Sequence, residues 1–529
     1  MGVEKTRSDN RVQFRLDHRL VLSFAPLAII ALFSSLEGTS ISVALPAIAR
    51  SLNGSAIEAF WSGTSFLLCS TVFQPIIGSL SDIFGRKPLL YASLAFFLLG
   101  SALGGSALNM TWLLCARSIQ GLGGGGVLAL TEIVITDLVP LRFRGHYFGI
   151  LSSMLCIGSV TGPIMGGGFI QSLNWRWIFY ITLPFIGGAI VLVFLFLDVQ
   201  QPTKKTLKGQ LQQIDYVGTT LFVGSMTSFL MPVTWGGIMY SWASFHTVVP
   251  LLIGTVGLVI CAVYAWRFAA HPTIPPVLFQ SPTTVVSYVA TVIHGLTIWC
   301  VLYYFPLYFE AVKGYSPLLS GVALLPFSFT AAPSAVVVGI LITITGRYRW
   351  SMWVGGALAT LGIALLCILK AQTSVAGWVL LMLPAGFGAG ALFPALLFGI
   401  QASAHPNHIP IAVAMSSFFR ACGQTLGVAI GGVVFQNRMR ENLLRFPKLA
   451  PYADDYSKDA AVLVQIIQIM PDGDDKQSLR IAYTDSLRVV WILCTALTAG
   501  SALLTLFAKE YTMDEGEPNR EELNSSSST

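Results

Sequence analysis

Fourteen runs of mostly apolar residues, each about as long as a membrane is thick, follow one another along the chain, and no soluble fold accommodates that pattern. They lie near 20–45, 58–80, 89–108, 112–136, 146–170 and 177–197, then 215–235 and 247–267. The last six lie near 287–309, 318–342, 351–370, 376–400, 411–434 and 486–508. In lipid a segment must satisfy its own backbone hydrogen bonds, so each run is predicted to be a helix. Most are too long and too evenly apolar for barrel strands. Only 11% of the 529 residues are charged and the mean hydropathy is +0.70, whereas soluble chains carry about a quarter charged residues. The predicted fold is an all-α polytopic membrane protein of about fourteen transmembrane helices, with the bilayer as its main partner.

Orientation follows from the basic residues of the short loops. Arg86, Lys87, Arg142, Arg144, Lys204, Lys205, Lys208, Arg267, Arg347 and Arg349 all follow even-numbered runs, and five more basic residues lie between Lys5 and Arg19. Both termini are therefore predicted to be cytoplasmic. Two Asn-x-Ser/Thr sequons, at Asn53 and Asn109, then fall in external loops as glycosylation candidates, while Asn524 falls in a Ser-rich cytoplasmic tail. Glu310 and Lys313 are placed at the external mouth, in solvent. The net charge of +6 comes with no basic, aromatic-interleaved domain, which leaves nucleic-acid binding unsupported. The eight cysteines are scattered singly, with no CxxC and no Cys/His cluster, so no metal site is expected. No Gly-x4-Gly-Lys-Ser/Thr loop occurs, and no soluble stretch is large enough for an enzyme domain; no cofactor is implied.

An offset of 261 residues aligns parts of the chain with itself. Gly78, Asp82, Gly85 and Arg86 fall on Gly339, Thr343, Gly346 and Arg347, and Gly162 and Gly166 fall on Gly423 and Gly427. This predicts two six-helix units, 20–197 and 268–508, separated by a linker over 198–267 that carries two extra spans. Tails cover 1–19 and 509–529, and a charged external loop covers 435–485. Parallel repeats of this kind are a transporter architecture, with the substrate site between the halves.

Four stretches carry chemistry. Gly78-x3-Asp82-x2-Gly85-Arg86-Lys87 is a tight charged turn, and a carboxylate at a membrane edge needs solvent or a cation. Arg117, in Arg117-x2-Gln120-Gly121-x-Gly123, is a guanidinium inside an apolar run. Glu132 and Asp137 lie further along the same run; Asp137 is expected to brace Arg142 and Arg144. Gly149, Gly158, Gly162, Pro163, Gly166 and Gly167 lie in one helix, where Gly158, Gly162 and Gly166, spaced four apart, form a stripe and Pro163 is a kinking proline. Glu37, in Leu36-Glu37-Gly-Thr39, is a carboxyl inside the first run, and Arg420 is a second intramembrane cation near mid-bilayer.

These stretches resemble the signatures of the major facilitator superfamily, and within it the fourteen-span drug:proton antiporters. The 78–87 turn matches the cytoplasmic-loop signature, the Arg117 run resembles that of proton-driven members, and the glycine stripe matches the antiporter signature in full. Glu37 stands where the resemblance would place Asp, and Ser42 where it would place Asn. The likeness extends over about residues 20–508 and is greatest to fungal efflux pumps for toxins and secondary metabolites, which carry drug resistance. It implies a monomeric, proton-driven antiporter that exports a small hydrophobic molecule by alternating access. The Gly78–Lys87 turn would act as a conformational latch, and Glu37, Arg117, Arg420 and Glu132 would be the proton-coupling candidates. The resemblance points to the plasma membrane, with the vacuolar membrane as alternative. A vacuolar basic amino acid or siderophore carrier on the same scaffold, or a membrane sensor that does not transport, remain open.

Overall fold

A computed structural model describes residues 18–54, 56–199, 206–237, 239–457 and 460–511; the N-terminal and Ser-rich C-terminal tails lie outside them. Among the described residues, fourteen helices are long and apolar enough to cross a membrane. The first half comprises span 1 (His18–Ser51), span 2 (Ala56–Phe84), span 3 (Arg86–Gly105), span 4 (Met110–Leu138), span 5 (Arg144–Ser172) and span 6 (Trp177–Tyr180 with Thr182–Phe196). Span 7 (Tyr216–Trp235) and span 8 (Phe245–Arg267) intervene. Spans 9 (Pro282–Ala311), 10 (Leu325–Thr345), 11 (Arg349–Leu366), 12 (Val375–Ser403), 13 (Ile409–Leu443) and 14 (Asp474–Thr505) form the second half. The end of the bundle that carries the Gly78–Lys87 turn is called here the turn face, and the opposite end the far face.

The repeat is visible in the packing. Gly162 and Gly166 of span 5 lie so close to span 1 that a Cβ would meet the Leu36 carbonyl oxygen at 2.7 Å and that of Ser40 at 2.4 Å. In the second half Gly423 and Gly427 of span 13 press on span 9, where a Cβ would meet the carbonyl oxygens of Val292 at 2.0 Å and Leu296 at 2.3 Å. The two turns correspond as well: Gly85 has φ 98° and Gly346 has φ 66°, left-handed values that suit a residue without Cβ. Small residues in these seams are what membrane helices need, since lipid is as apolar as leucine and attraction comes from close packing.

Spans 7 and 8 form a peripheral hairpin. A Cβ at Gly254 of span 8 would meet the Phe229 backbone nitrogen of span 7 at 2.4 Å, and only 6% of the apolar window of span 8 is buried in protein. Span 7 sits beside spans 2 and 13, one from each half, through Trp61–Trp235 and Phe222–Phe418 ring contacts at 5.8 and 5.5 Å. The boundaries read from sequence lie close to the observed ones for the proline-bearing spans 7 and 12, which are continuous helices.

The stretch 435–485 is mostly not the loop expected from its charge. Span 13 continues to Leu443, short helices follow at Ala453–Tyr456 and Ala460–Ile469, and span 14 begins at Asp474. Leu449, Leu463, Val464 and Ile467 join the core of the second half, while Arg440–Asp454 (2.5 Å) and Lys476–Asp472 (2.9 Å) pair on the surface. Charges on one face of an amphipathic helix lower mean hydropathy without breaking the helix. Lys313 and Glu310 also depart from expectation. The Lys313 amine donates to the carbonyl oxygens of Ala371 (2.7 Å) and Thr373 (2.6 Å), and the loss of water there lowers its pKa from the usual lysine range. Glu310 accepts from Ser320 Oγ at 2.9 Å. Both hold connections together rather than standing in solvent.

Candidate functional site

A cavity of about 120 Å³ lies between the halves, walled by spans 1, 2, 4 and 5 on one side and spans 9 and 13 on the other. Its apolar wall includes Phe66, Leu67, Leu128, Leu155 and Trp299. Its charged residues are Glu132 of span 4 and Arg420 of span 13, from opposite halves. Arg420 Nη1 meets Glu132 Oε1 at 3.2 Å, and Ser417 Oγ donates to Glu132 Oε2 at 2.6 Å. The guanidinium lies 3.9 Å from the centroid of Phe393. Span 13 lies against span 9 at Gly423 and Gly427, and Arg420, on the same helix, faces Glu132 of span 4.

The other pair of candidates is not on the cavity. Glu37 and Arg117 are both 0% exposed, inside the first half. Gln120 joins them: its Nε2 donates to Glu37 Oε1 and to Ser101 Oγ, both at 2.7 Å, and its Oε1 accepts from Arg117 Nη1 at 2.6 Å. Arg117 Nε donates to the Ser62 carbonyl at 3.0 Å, and the ions themselves stand 3.7 Å apart. Glu37 Oε2 and Arg117 Nη2 have no hydrogen-bond partner among the described residues. The Phe66 ring covers the guanidinium at 4.3 Å and is also part of the cavity wall. A buried carboxyl with one oxygen unpaired, beside a cation, is a group whose protonation would rearrange its neighbours.

At the turn face Asp82, Arg86 and Asp137 form one cluster. Arg86 pairs with Asp82, donates to Asp137 Oδ2 at 2.9 Å and to Ser81 Oγ at 2.7 Å. Asp137 is thus engaged by Arg86, a partner the sequence did not suggest, and its charge also acts on Arg144. Arg144 reaches across the halves: Nη1 donates to Gln401 Oε1 of span 12 at 2.7 Å, and Nε and Nη2 donate to the carbonyls of Val139 and Thr136. Lys87 donates to the Leu197 carbonyl at 2.8 Å, where span 6 ends, a position that suits a cation. The halves also touch backbone to backbone here, since Cβ atoms at Gly145 and Gly339 would each lie within 2.2 Å of the other's carbonyl oxygen.

In the glycine motif, Gly158, Gly162 and Gly166 face span 1, whereas Gly149 faces Ala335 and Val336 of span 10 in the other half. Gly167 is off the seam, with only Val43 Cγ1 at 3.9 Å, and Pro163 lies within an unbroken helix. Asn109 caps span 4, its Oδ1 accepting from the Trp112 amide at 2.8 Å; Asn53 is exposed at φ 51°, and its sequon ends at Ser55, outside the described residues. Sequence reasoning missed Phe66, Gln74, Gln401 and Ser417. The amides were visible as polar residues within apolar runs, a costly placement that calls for a partner.

The family model for the Major Facilitator Superfamily matches residues 27–431. The chain belongs to the major facilitator superfamily. It is 52% identical over 502 residues to the MFS transporter L2 of Phoma sp., covering 95% of this chain and 84% of that one. It is 35% identical over 515 residues to efflux pump FUS6 of Gibberella fujikuroi, covering 96% and 91%. Among solved structures the proton:xylose symporter XylE superposes with a TM-score of 0.56 at 14% identity, covering 94% of this chain and 98% of that one, a likeness of fold. The cavity between halves, the turn-face cluster and the two buried ion pairs are therefore features of a multi-pass superfamily transporter.

Proposed function

We propose that this chain is a proton-driven exporter of a small, largely apolar organic molecule, such as a toxin or other secondary metabolite. The observation that carries the reading is the separation of two ionic sites. Glu37–Arg117 is sealed within one half, and Glu132–Arg420 lies on the cavity between halves. A carrier that exchanges two different species needs a place for each, and a shared wall between them; Phe66 is that wall. Glu37 takes the proton, the cavity takes the cargo, and the halves rock about the cavity to expose it to one side and then the other.

The glycine seam between spans 5 and 1 and the name of the FUS6 relative favour outward export. The basic residues of the loops at the turn face support a reading in which that face and both termini are cytoplasmic, and the proposal is completed by a monomeric carrier in the plasma membrane. A cargo with several positive charges is disfavoured, because Glu132, the one carboxylate on the cavity wall among the described residues, is already paired. One proton entering down 100 mV supplies about 2.3 kcal/mol, enough to hold about a 40-fold cargo gradient.

The test uses purified full-length protein in proteoliposomes with dansylated undecyl probes bearing a terminal carboxylate, primary amide or amine. An imposed pH gradient is expected to drive at least one of them, and Glu37→Gln is expected to abolish that coupling while leaving insertion and folding intact. No gradient-driven movement of any probe would refute the exporter reading. Transport by Glu37→Gln that keeps its full dependence on the gradient would remove Glu37 from the proton's route.

A further inference from the structure

The two members of the cavity ion pair are not equally satisfied, and the imbalance has chemical meaning. Glu132, 4% exposed, has both oxygens occupied: Oε2 accepts from Ser417 and Oε1 from Arg420. Arg420 gives Nη1 to Glu132 at 3.2 Å and presents one face of its plane to Phe393, while its Nε has no hydrogen-bond partner among the described residues. A guanidinium carries five N–H donors in a planar fork, and a carboxylate matches two of them on one edge. An unmade bond of a buried charged group is expensive. The acidic partner is complete; the basic one has an edge to spare.

We propose that the cargo is an amphiphile bearing a carboxylate or a comparably acidic oxygen, held by the Nε edge of Arg420. This rests on the transporter reading of the cavity and names the chemistry of what it carries. A cationic cargo would have to take Glu132 from Arg420 and Ser417. An anionic one has no hydrogen bond to displace at the buried Nε. The remaining wall suits the rest of such a molecule. Phe66, Leu67, Leu128, Leu155 and Trp299 offer apolar surface, and Ser34 Oγ and Gln74 Oε1 are buried polar atoms of the same wall without hydrogen-bond partners among the described residues. The cargo would thus be apolar along most of its length, with one acidic end at span 13 and further polar groups toward spans 1 and 2.

The experiment measures binding of the carboxylate, amide and amine dansyl probes to purified full-length protein by fluorescence. Wild type is compared with Arg420→Gln, Arg420→Lys and Glu132→Gln, so that each probe's partition into detergent cancels in the variant-to-wild-type ratio. A charge-assisted bond supports an expected loss of about tenfold or more in carboxylate affinity for Arg420→Gln, with amide affinity unchanged. Arg420→Lys is expected to keep part of the carboxylate preference. Glu132→Gln is expected to bind the carboxylate more tightly than wild type, because the competing anion is gone. A misfolded variant would lose the amide too, and the opposite sign expected for Glu132→Gln does not depend on Arg420→Gln folding. Equal losses for carboxylate and amide in Arg420→Gln, with Glu132→Gln unchanged, would overturn the proposal, as would tighter binding of the amine or binding of none of the probes. If the amide or amine is pumped by the pH gradient and the carboxylate is not preferred, the acidic-cargo inference falls and the exporter reading stands; if nothing is pumped, both fall.

Discussion

Phe66 belongs to two neighbourhoods at once. Its ring lies 4.3 Å from the Arg117 guanidinium, and it forms part of the cavity wall. It therefore holds cavity water away from Glu37 and Arg117. Phe66→Ala is expected to open a path between the two sites, so that proteoliposomes holding pyranine lose an imposed pH gradient faster than wild type with no cargo present. An unchanged leak would show that other side chains form the barrier. The truncation also removes a buried ring, a cost of about 3–5 kcal/mol in well-packed cores, and Phe66→Leu keeps most of the volume as a control. At this scale the sequence announced the charges but not their company. Glu37, Arg117, Glu132 and Arg420 stand out because an ionisable group within an apolar run is costly wherever it points. That Glu132 meets Arg420, 288 positions away, depends on how span 13 is rotated and how high it stands, and no local pattern carries that. The same holds for Asp137, whose hydrogen bond from Arg86, 51 positions away, no local pattern announced.

Within the single helix of span 5, adjacent glycines have different tasks, and substitution separates them. A Cβ at Gly166 would stand 2.4 Å from the Ser40 carbonyl oxygen of span 1, a backbone atom that cannot turn aside, whereas Gly167 has only a valine methyl at 3.9 Å. Gly166→Ala is expected to cost about 1–3 kcal/mol, the usual penalty of overpacking, and to lower the unfolding temperature of the purified protein. Gly167→Ala is expected to leave it unchanged. A thermal melt followed by size-exclusion fluorescence reads both, and equal melting of the two variants would refute the assignment of the seam. The fourteen spans themselves were legible because the need for a continuous apolar run is a one-dimensional property. The helical build of 435–485 was not, since the end of span 13 and the start of span 14 are charged, and the apolar helix Ala460–Ile469 is too short to cross a membrane. The repeat was legible for a related reason: the glycines that recur at 261 residues serve the same close contact in each half, and a missing side chain leaves a trace in sequence that a particular packing angle does not.

For the molecule as a whole, the proposed alternating access requires that the halves part at the turn face during each cycle. They are in contact there now, through Arg144 and Gln401, through Gly145 and Gly339, and through Gly78, where a Cβ would stand 2.7 Å from Ala414 Cβ of span 13. Cysteines bridge when their Cβ atoms are about 3.5–4.5 Å apart, so a separation of roughly 1 Å between spans 2 and 13 brings a Gly78→Cys, Ala414→Cys pair into range. In a background without the eight native cysteines, a membrane-permeant oxidant is expected to link the pair. The link is read by cutting an engineered protease site within residues 206–215, between the halves, and finding the fragments joined on a non-reducing gel. With the turn face tied shut, gradient-driven transport is expected to stop and to return on reduction, while probe binding persists. A linked protein that still transports at the wild-type rate would mean that the two halves do not separate along the seam of spans 2 and 13. The opening would then have to be sought between spans 5 and 10, where Gly145 and Gly339 meet.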